Sequence, residues 1–303
     1  MEKFIEQISR TENPVSENTP VNQKCPLCGN NQDNYVVRRW INEYDAVRCD
    51  KCSLIFAWPM KSNIEIYEQS YDTDGEFSHL LYRARTLKSK GKKVLAWPYK
   101  TLLKYIKRKG ISAKNIFEVG CGDGHFLYFL KSSGYHASGC DVSASACRQA
   151  KELFDIDVIQ SDFNDTTVPD ESQDIILGVE LIEHLGEPME LLKTAYSKLK
   201  PGGYLFLSTP NADTKWPFYW TDSKASFPPF HLTIWSEKSF SNAAKKVNFI
   251  MEDFIKKPIP FRWEFMNCNY SLPRLLFESF VSFLKGEKGV TLVSIMRKPL
   301  TNA

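Results

Sequence analysis

Beyond residue 113 the chain alternates short apolar runs with helical stretches, and this alternation constrains its fold more than any other feature. Asn115–Val119 predicts a first strand, His125–Ser132 a helix, and Tyr135–Cys140 a second strand ending at Asp141. Ile156–Gln160, Asp174–Val179 and Tyr204–Ser208 predict three more strands. Ser143 is placed to cap the helix after the second strand, and the helix Glu190–Leu199 stops at the break signal Lys200-Pro201-Gly202-Gly203. Phe249–Ile255 and Val290–Arg297 read as a final strand pair. The expected architecture is a doubly wound α/β sheet. A chain of 303 residues with 43% hydrophobic and 25% charged residues can bury such a core, which argues against a disordered, collagen-like or coiled-coil chain. No apolar run approaches the roughly 18 residues that span a bilayer. The N-terminus lacks the basic start and apolar stretch of a signal peptide, so the expected compartment is the cytoplasm.

Between the first strand and the first helix lies Glu118-Val-Gly120-Cys-Gly122-Asp-Gly124. Glycines at such a turn let the backbone approach a ligand at a helix N-terminus. The pattern is G-x-G-x-G with an acid just before it, not the G-x-G-x-x-G of dinucleotide sites. Asp141, closing the second strand, is placed to accept both ribose hydroxyls of an adenosine. Asp162 and Phe163, after the third strand, are placed to flank an adenine.

Eight cysteines are present, four of them in the pairs Cys25-Pro-Leu-Cys28 and Cys49-Asp-Lys-Cys52. Two residues between cysteines let a tight knuckle aim both thiolates at one tetrahedral ion, and this paired spacing predicts a four-cysteine zinc ribbon. Four thiolates leave no open coordination position, so the zinc is expected to be structural and its binding coupled to folding. Asn34–Trp40 and Tyr44–Arg48 predict the strands between the knuckles. The expected organisation is a flexible tail (1–20), the ribbon (21–57), a helical linker and cap (58–112) and the α/β domain (113–303).

Together, E-V-G-C-G-D-G, the strand ending G-C-D, L-I-E-H-L-G-E-P and L-K-P-G-G-Y-L-F-L-S-T-P-N resemble the class I S-adenosylmethionine-dependent methyltransferases over roughly residues 113–298. The resemblance implies a seven-stranded Rossmann-like methyltransferase sheet with one antiparallel strand. It implies methyl transfer from S-adenosylmethionine, bound across the C-terminal strand edges. Carried onto this sequence, Gly120, Gly122 and Gly124 serve the methionine part, Asp141 the ribose, and Asp162 and Phe163 the adenine, with Glu118 also among the cofactor-binding residues. Glu180 stands beside the expected sulfonium position.

Glu180-Leu-Ile-Glu183-His184 follows the fourth strand, and in a helical turn its positions i, i+3 and i+4 would share one face. His231, in Pro228-Pro229-Phe230-His231-Leu232, lies in a loop expected to return over the same strand edge. Glu180, Glu183, His184 and His231 would form an oxygen- and nitrogen-rich site for Mg²⁺ or Mn²⁺. The pattern resembles the ubiquinone-biosynthesis O-methyltransferases. It also resembles small-RNA 3′-terminal 2′-O-methyltransferases, which bind a divalent ion with E-x-x-E-H and a later His. Metal-free relatives carry a similar E-H and P-x-H-L, so two alternatives stay open. His184 or His231 is a general base, or these side chains are structural.

Residues 211–235, rich in aromatics and stiffened by prolines, are expected to form an acceptor lid. Residues 257–289 form an insertion whose apolar surface packs on the domain, pairs two copies or touches a membrane peripherally. Residues 80–114 hold twelve Lys and Arg and no acid, although the whole chain carries only +3. That run reads either as a solvated helix face or as a guide for an anionic acceptor. The leading function is O-methylation of a small-molecule hydroxyl on a sugar, polysaccharide precursor or secondary metabolite. RNA methylation is disfavoured by the near-neutral ribbon. A non-catalytic partner module is disfavoured by the intact glycine turn. No motif specifies the acceptor atom or an oligomeric state.

Overall fold

The structure is a computed structural model and describes residues 20–21, 23–31, 34–39, 44–61, 87, 92, 95–213, 228–257, 289 and 291–300. Near its start, β1 (Pro20–Val21), β2 (Asn34–Arg39), β3 (Asp45–Cys49) and β4 (Ile55–Trp58) form an antiparallel sheet. Helix α1 (Trp97–Lys109) follows, with Pro98 in its first turn and left-handed Gly110 closing its end.

The main sheet then builds up through β5 (Asn115–Val119), α2 (His125–Ser132), β6 (His136–Asp141), α3 (Ala144–Phe154), β7 (Ile159–Gln160) and β8 (Gln173–Val179). It continues through α4 (Pro188–Lys198), β9 (Leu199–Pro210), β10 (Thr233–Ile234), α5 (Glu237–Val247), β11 (Ile250–Lys256) and β12 (Thr291–Arg297). Seven strands pair in the order β11-β12-β9-β8-β5-β6-β7, and β12 runs antiparallel to both its neighbours. The connections leave β5 in opposite directions, to β6 on one side and β8 on the other. Such a switch point opens a crevice at the C-terminal strand ends.

Alternate strand residues feed two cores, as a sheet covered on both faces requires. Phe117, Ile176, Leu205 and Leu207 pack with α4 and α5, whereas Ile116, Ile175, Leu177 and Phe206 pack with α1 and α2. Ser143 caps α3 as expected, accepting from the Ala146 amide at 3.1 Å. Ser236 and Ser239 cap α5 reciprocally.

Three elements differ from the sequence expectation. The third strand is only Ile159–Gln160. The fifth begins at Leu199 rather than Tyr204, because Lys200–Gly203 loop out of its pairing with β8. Hydrogen bonds between this loop and Lys298 satisfy the displaced backbone. Third, the N-terminal sheet draws a strand from outside the expected ribbon bounds. β10 pairs with β4, so residues 233–234 supply a strand to the N-terminal sheet. Leu27, Leu54 and Phe56 also share one core with Trp235, Phe240 and Ala243.

Helix α1 carries most of the described part of the basic segment, with Lys92 before it and Lys114 after it. Lys104, Lys107, Arg108 and Lys109 are exposed, and Arg108 pairs with Asp253 at 2.9 Å. From Lys109 a short link enters the first residue of β5, so this basic end lies at the sheet edge opposite the glycine turn. It complements the helix dipole rather than facing the crevice. The tail to residue 19, most of the expected linker, residues 214–227 of the lid and residues 258–288 of the insertion lie outside the described residues. Among the described residues no helix is long and apolar enough to cross a membrane.

Candidate functional site

The glycine turn stands where β5 ends. Gly120 and Gly124 have φ of 66° and 69°, in the left-handed region that disfavours side chains. A Cβ on Gly120 would also lie 2.9 Å from Leu181, and one on Gly124 3.0 Å from the Ala150 Cβ. Asp141 reaches back from β6 and fixes the turn. One of its oxygens accepts from the Gly122 amide at 2.8 Å and the other from the Ser143 amide at 2.9 Å.

Beneath the turn lies a buried polar cluster. Tyr99 of α1 donates to Glu118 at 2.8 Å, and His125 Nδ1 meets Asp123 at 2.6 Å. The second oxygens of Glu118 and Asp123, and His125 Nε2, have no hydrogen-bond partner. Burial pushes the Glu118 carboxyl well above the carboxylate range, opposed by the Tyr99 hydroxyl. Sequence reasoning missed Tyr99, Asp123 and His125. Asp123 and His125 lie within the motif and were legible there. Tyr99 comes from a helix that carries no such signal.

Asp162 is exposed at the crevice, and one of its oxygens accepts from the Asn164 amide at 2.9 Å. Phe163 departs from expectation. Its ring is buried and stacks on Phe117 at a centroid distance of 5.6 Å, so it belongs to the core beneath the crevice rather than to its wall.

On the acceptor side the expected helical turn is absent at Glu180. That residue has φ of 50° and is exposed, and its carboxylate accepts from Ser208 at 2.8 Å. A 3₁₀ turn begins only at Ile182 and ends at His184. Three of the four expected donors do converge. One ligand atom from each of Glu183, His184 and His231 lies within 4.8 Å of the others, and Glu180 stands outside the group.

Glu183 is 0% exposed, and neither carboxylate oxygen has a hydrogen-bond partner. Burial, reinforced by Glu180, pushes its carboxyl well above the usual range. His184 Nδ1 lies 2.7 Å from the Phe230 carbonyl. A carbonyl only accepts, so Nδ1 carries the proton. The two imidazoles meet edge to face at 4.7 Å. Burial lowers His184 to about 4 and holds His231 well below its ordinary value, so both are neutral. A buried carboxyl group without a hydrogen-bond partner beside two neutral imidazoles is a donor set that fits a divalent cation, which would displace the carboxyl proton.

The four paired cysteines also converge, with ligand atoms within 4.8 Å of one another. Cys25 to Cys52 and Cys28 to Cys49 are each 3.5 Å between sulfurs. A zinc tetrahedron with bonds near 2.3 Å has an edge of about 3.8 Å, so the thiols fit the ion with little adjustment. Each knuckle closes on itself, Gly29 N donating to Cys25 O and Ser53 N to Cys49 O. The cluster is compatible with a zinc ribbon.

A sheet in this order, with a lone antiparallel strand and a glycine turn at its switch point, defines a Rossmann-like fold of the S-adenosylmethionine-dependent methyltransferase type. The chain belongs to the methyltransferase-domain family, whose model matches residues 84–253. It is 34% identical over 119 residues to a ubiquinone biosynthesis O-methyltransferase of Coxiella burnetii, covering 37% of this chain and 51% of that protein. It is 29% identical over 125 residues to the protein of that name from Actinobacillus pleuropneumoniae, covering 37% and 53%. The chain thus spans about half the length of the curated relatives it matches. Among solved structures it resembles a methyltransferase from Haloferax volcanii, in complex with the activator Trm112, with a TM-score of 0.56. The identity there is 17%, over 75% of this chain and 98% of that one. A SAM-dependent methyltransferase from Thermotoga maritima gives 0.52 at 19% identity, over 77% and 99%. At these identities the likeness concerns the fold alone.

Proposed function

We propose that this chain transfers a methyl group from S-adenosylmethionine to a hydroxyl of a small molecule, with Glu183, His184 and His231 holding a divalent cation at the acceptor. The observation that carries this reading is the unpartnered, fully buried Glu183 carboxylate beside the two imidazoles. When bound, S-adenosylmethionine supplies an electrophilic methyl, and the cation supplies a positive charge that acidifies a coordinated hydroxyl.

The chain's own residues do the rest. The glycine turn offers close backbone approach to the methionine end. The carboxylate of Asp141 has lone pairs beyond its two backbone bonds to accept ribose hydroxyls, and Asp162 lies at the adenine side. Glu183, His184 and His231 would hold the acceptor oxygen through the cation, and its acidified proton would leave to solvent. The carbon–oxygen bond would then form as the carbon–sulfur bond breaks, with that bond's electron pair left on sulfur. The names of the curated relatives support an oxygen acceptor. The four-cysteine cluster is read as a structural zinc site.

A second reading is favoured by the His184 to Phe230 hydrogen bond. In it the oriented His184 imidazole takes the hydroxyl proton directly.

The test is Mn²⁺ titration by calorimetry into the protein bound to S-adenosylhomocysteine, with the ribbon metal left in place. Saturable one-site binding that disappears in Glu183→Gln supports the cation and directs acceptor screening to diols and catechols. Absence of binding, with activity abolished in His184→Ala, selects the general-base reading. Full methyl transfer to an identified acceptor by both variants sinks both readings.

A further inference from the structure

A continuous ladder of hydrogen bonds runs from the cysteine knuckles to the acceptor-side residues. Cys49 and Cys52 form the second knuckle, and its closing bond, Cys49 N to Leu54 O at 2.9 Å, sets the start of β4. Strand β4 pairs with β10, Phe56 opposite Thr233 and Ile55 opposite Ile234. Just outside that pairing the Ala57 amide donates to the Leu232 carbonyl at 2.8 Å. The Leu232 amide in turn donates to the Glu183 carbonyl at 2.7 Å. Thr233 Oγ1 donates to the Ile182 carbonyl at 3.2 Å, and Trp235 Nε1 donates to Thr233 Oγ1 at 2.9 Å. His231 therefore sits between two tethered neighbours. Phe230 is bonded to His184, and Leu232 is bonded to both Glu183 and β4.

Packing follows the same route. The thiols of Cys25, Cys49 and Cys52 lie in one buried core with Leu54, Phe56, Trp235 and Phe240. Lys246 of α5 also reaches the Cys28 carbonyl at 3.4 Å. The glycine turn takes no part in this ladder. Its supports are Asp141, Tyr99 and the Cys140 carbonyl.

We propose that the four-cysteine module is a brace for the acceptor side: metal held by its knuckles sets the place of β4, and β4 sets His231 against Glu183 and His184. Loss of the ribbon metal then disorders the acceptor-side geometry and leaves the adenosine crevice in place. Ala57 is the positioning residue. Its amide is directed at Leu232, and its side chain packs with Ala46, Leu232 and Ile234, in a cluster separate from the one that holds the thiols. The proposal rests on Glu183, His184 and His231 being the acceptor-side group, but the geometry it asserts can be read without any acceptor.

The test uses the full chain bound to S-adenosylhomocysteine, with isotopically labelled histidine, in three forms: native, zinc-stripped by a chelator, and Ala57→Pro. Proline removes the one amide that bridges to Leu232 and leaves all four thiols. Imidazole resonances report the site, and only five histidines are present. His125 at the glycine turn serves as the internal control. In Ala57→Pro the expected result is retained zinc and S-adenosylhomocysteine affinity within about twofold. His125 stays unchanged, and the hydrogen-bonded His184 Nδ1 proton is lost or shifted together with His231. Zinc stripping should reproduce that change. With an acceptor in hand, kcat should fall on the order of 100-fold, the cost of about 1 Å of misplacement, at constant KM for S-adenosylmethionine.

Unchanged His184 and His231 signals in Ala57→Pro overturn the brace, as does a native chain that binds no zinc. Loss of S-adenosylhomocysteine binding along with all the histidine signals overturns it too, since the ribbon would then support the whole domain. Failure of the acceptor-side reading shows separately, as full activity in Glu183→Gln and His231→Ala.

Discussion

Asp141→Asn separates two roles that one carboxylate combines. In the native chain both oxygens are acceptors, one for Gly122 N at 2.8 Å and one for Ser143 N at 2.9 Å. Asparagine has one oxygen and one amino group, so one backbone N–H would face another donor. One charge-assisted bond, about 1.5–3 kcal/mol, is lost, and the other becomes a neutral bond of about 1 kcal/mol. The sum is a loss of about 2–5 kcal/mol. At about 2–4 °C per kcal/mol for a domain of comparable size, the melting temperature should fall by roughly 4–20 °C. In the proposed reading the turn that Asp141 holds also shapes the adenosine site, so affinity for S-adenosylhomocysteine should fall beyond what stability explains. Scanning calorimetry gives the first quantity and isothermal titration the second. Ser143→Ala is the control: it removes the α3 cap, at about 1 kcal/mol, while leaving the Asp141 carboxylate in place, and should leave the affinity nearly intact. Asp141→Asn melting within about 1 °C of the native chain and binding the product equally well would refute the reasoning.

Three further outcomes are expected. Gly139→Ala places a Cβ 2.6 Å from the Glu118 carbonyl and 3.1 Å from Cys121. It should cost about 1–3 kcal/mol and weaken S-adenosylhomocysteine binding by titration, and unaltered binding would show that the turn tolerates the shift. Glu118 has a folded-state pKa above its unfolded value, so its contribution to stability is complete below about pH 4.3 and is lost as pH rises towards the folded value. That loss is about 1.4 kcal/mol per pH unit. Urea unfolding across pH should show Glu118→Gln removing this slope, and an unchanged slope counts against the assignment. Phe240 is fully buried and stacks on Trp235 at 4.7 Å where ribbon and domain cores merge. Phe240→Ala should cost about 3–5 kcal/mol by denaturant unfolding, and a loss below about 1 kcal/mol would show that the two cores do not act as one.

Much of the site is legible in the sequence because its determinants are local. Glycine spacing, an acid at a strand end and cysteine pairs act over a few residues; the structure gives Gly120 and Gly124 left-handed backbone, bonds Asp141 to the Gly122 amide and brings the four thiols together. Where an expectation rests on regular geometry between elements, the structure departs from it. Helical spacing puts Glu180 on one face with Glu183 and His184, but left-handed backbone separates it, and its carboxylate is bonded to Ser208 on the neighbouring strand. Adjacency to Asp162 puts Phe163 on the adenine wall. Its burial depends instead on Phe117, which lies 46 positions earlier in the chain.

By itself, the sequence determined the doubly wound sheet, the cysteine knuckles and the glycine turn, since hydrophobic periodicity and backbone conformational limits act on neighbouring residues. Tertiary structure alone decided that Tyr99 of α1 meets Glu118, that Leu232 hangs between β4 and Glu183, and that the ribbon takes its last strand from residues 233–234. These contacts join segments up to 179 positions apart. Their energy comes from satisfying buried backbone groups and closing a shared core. Neither leaves a periodic trace in the residues that make the contact.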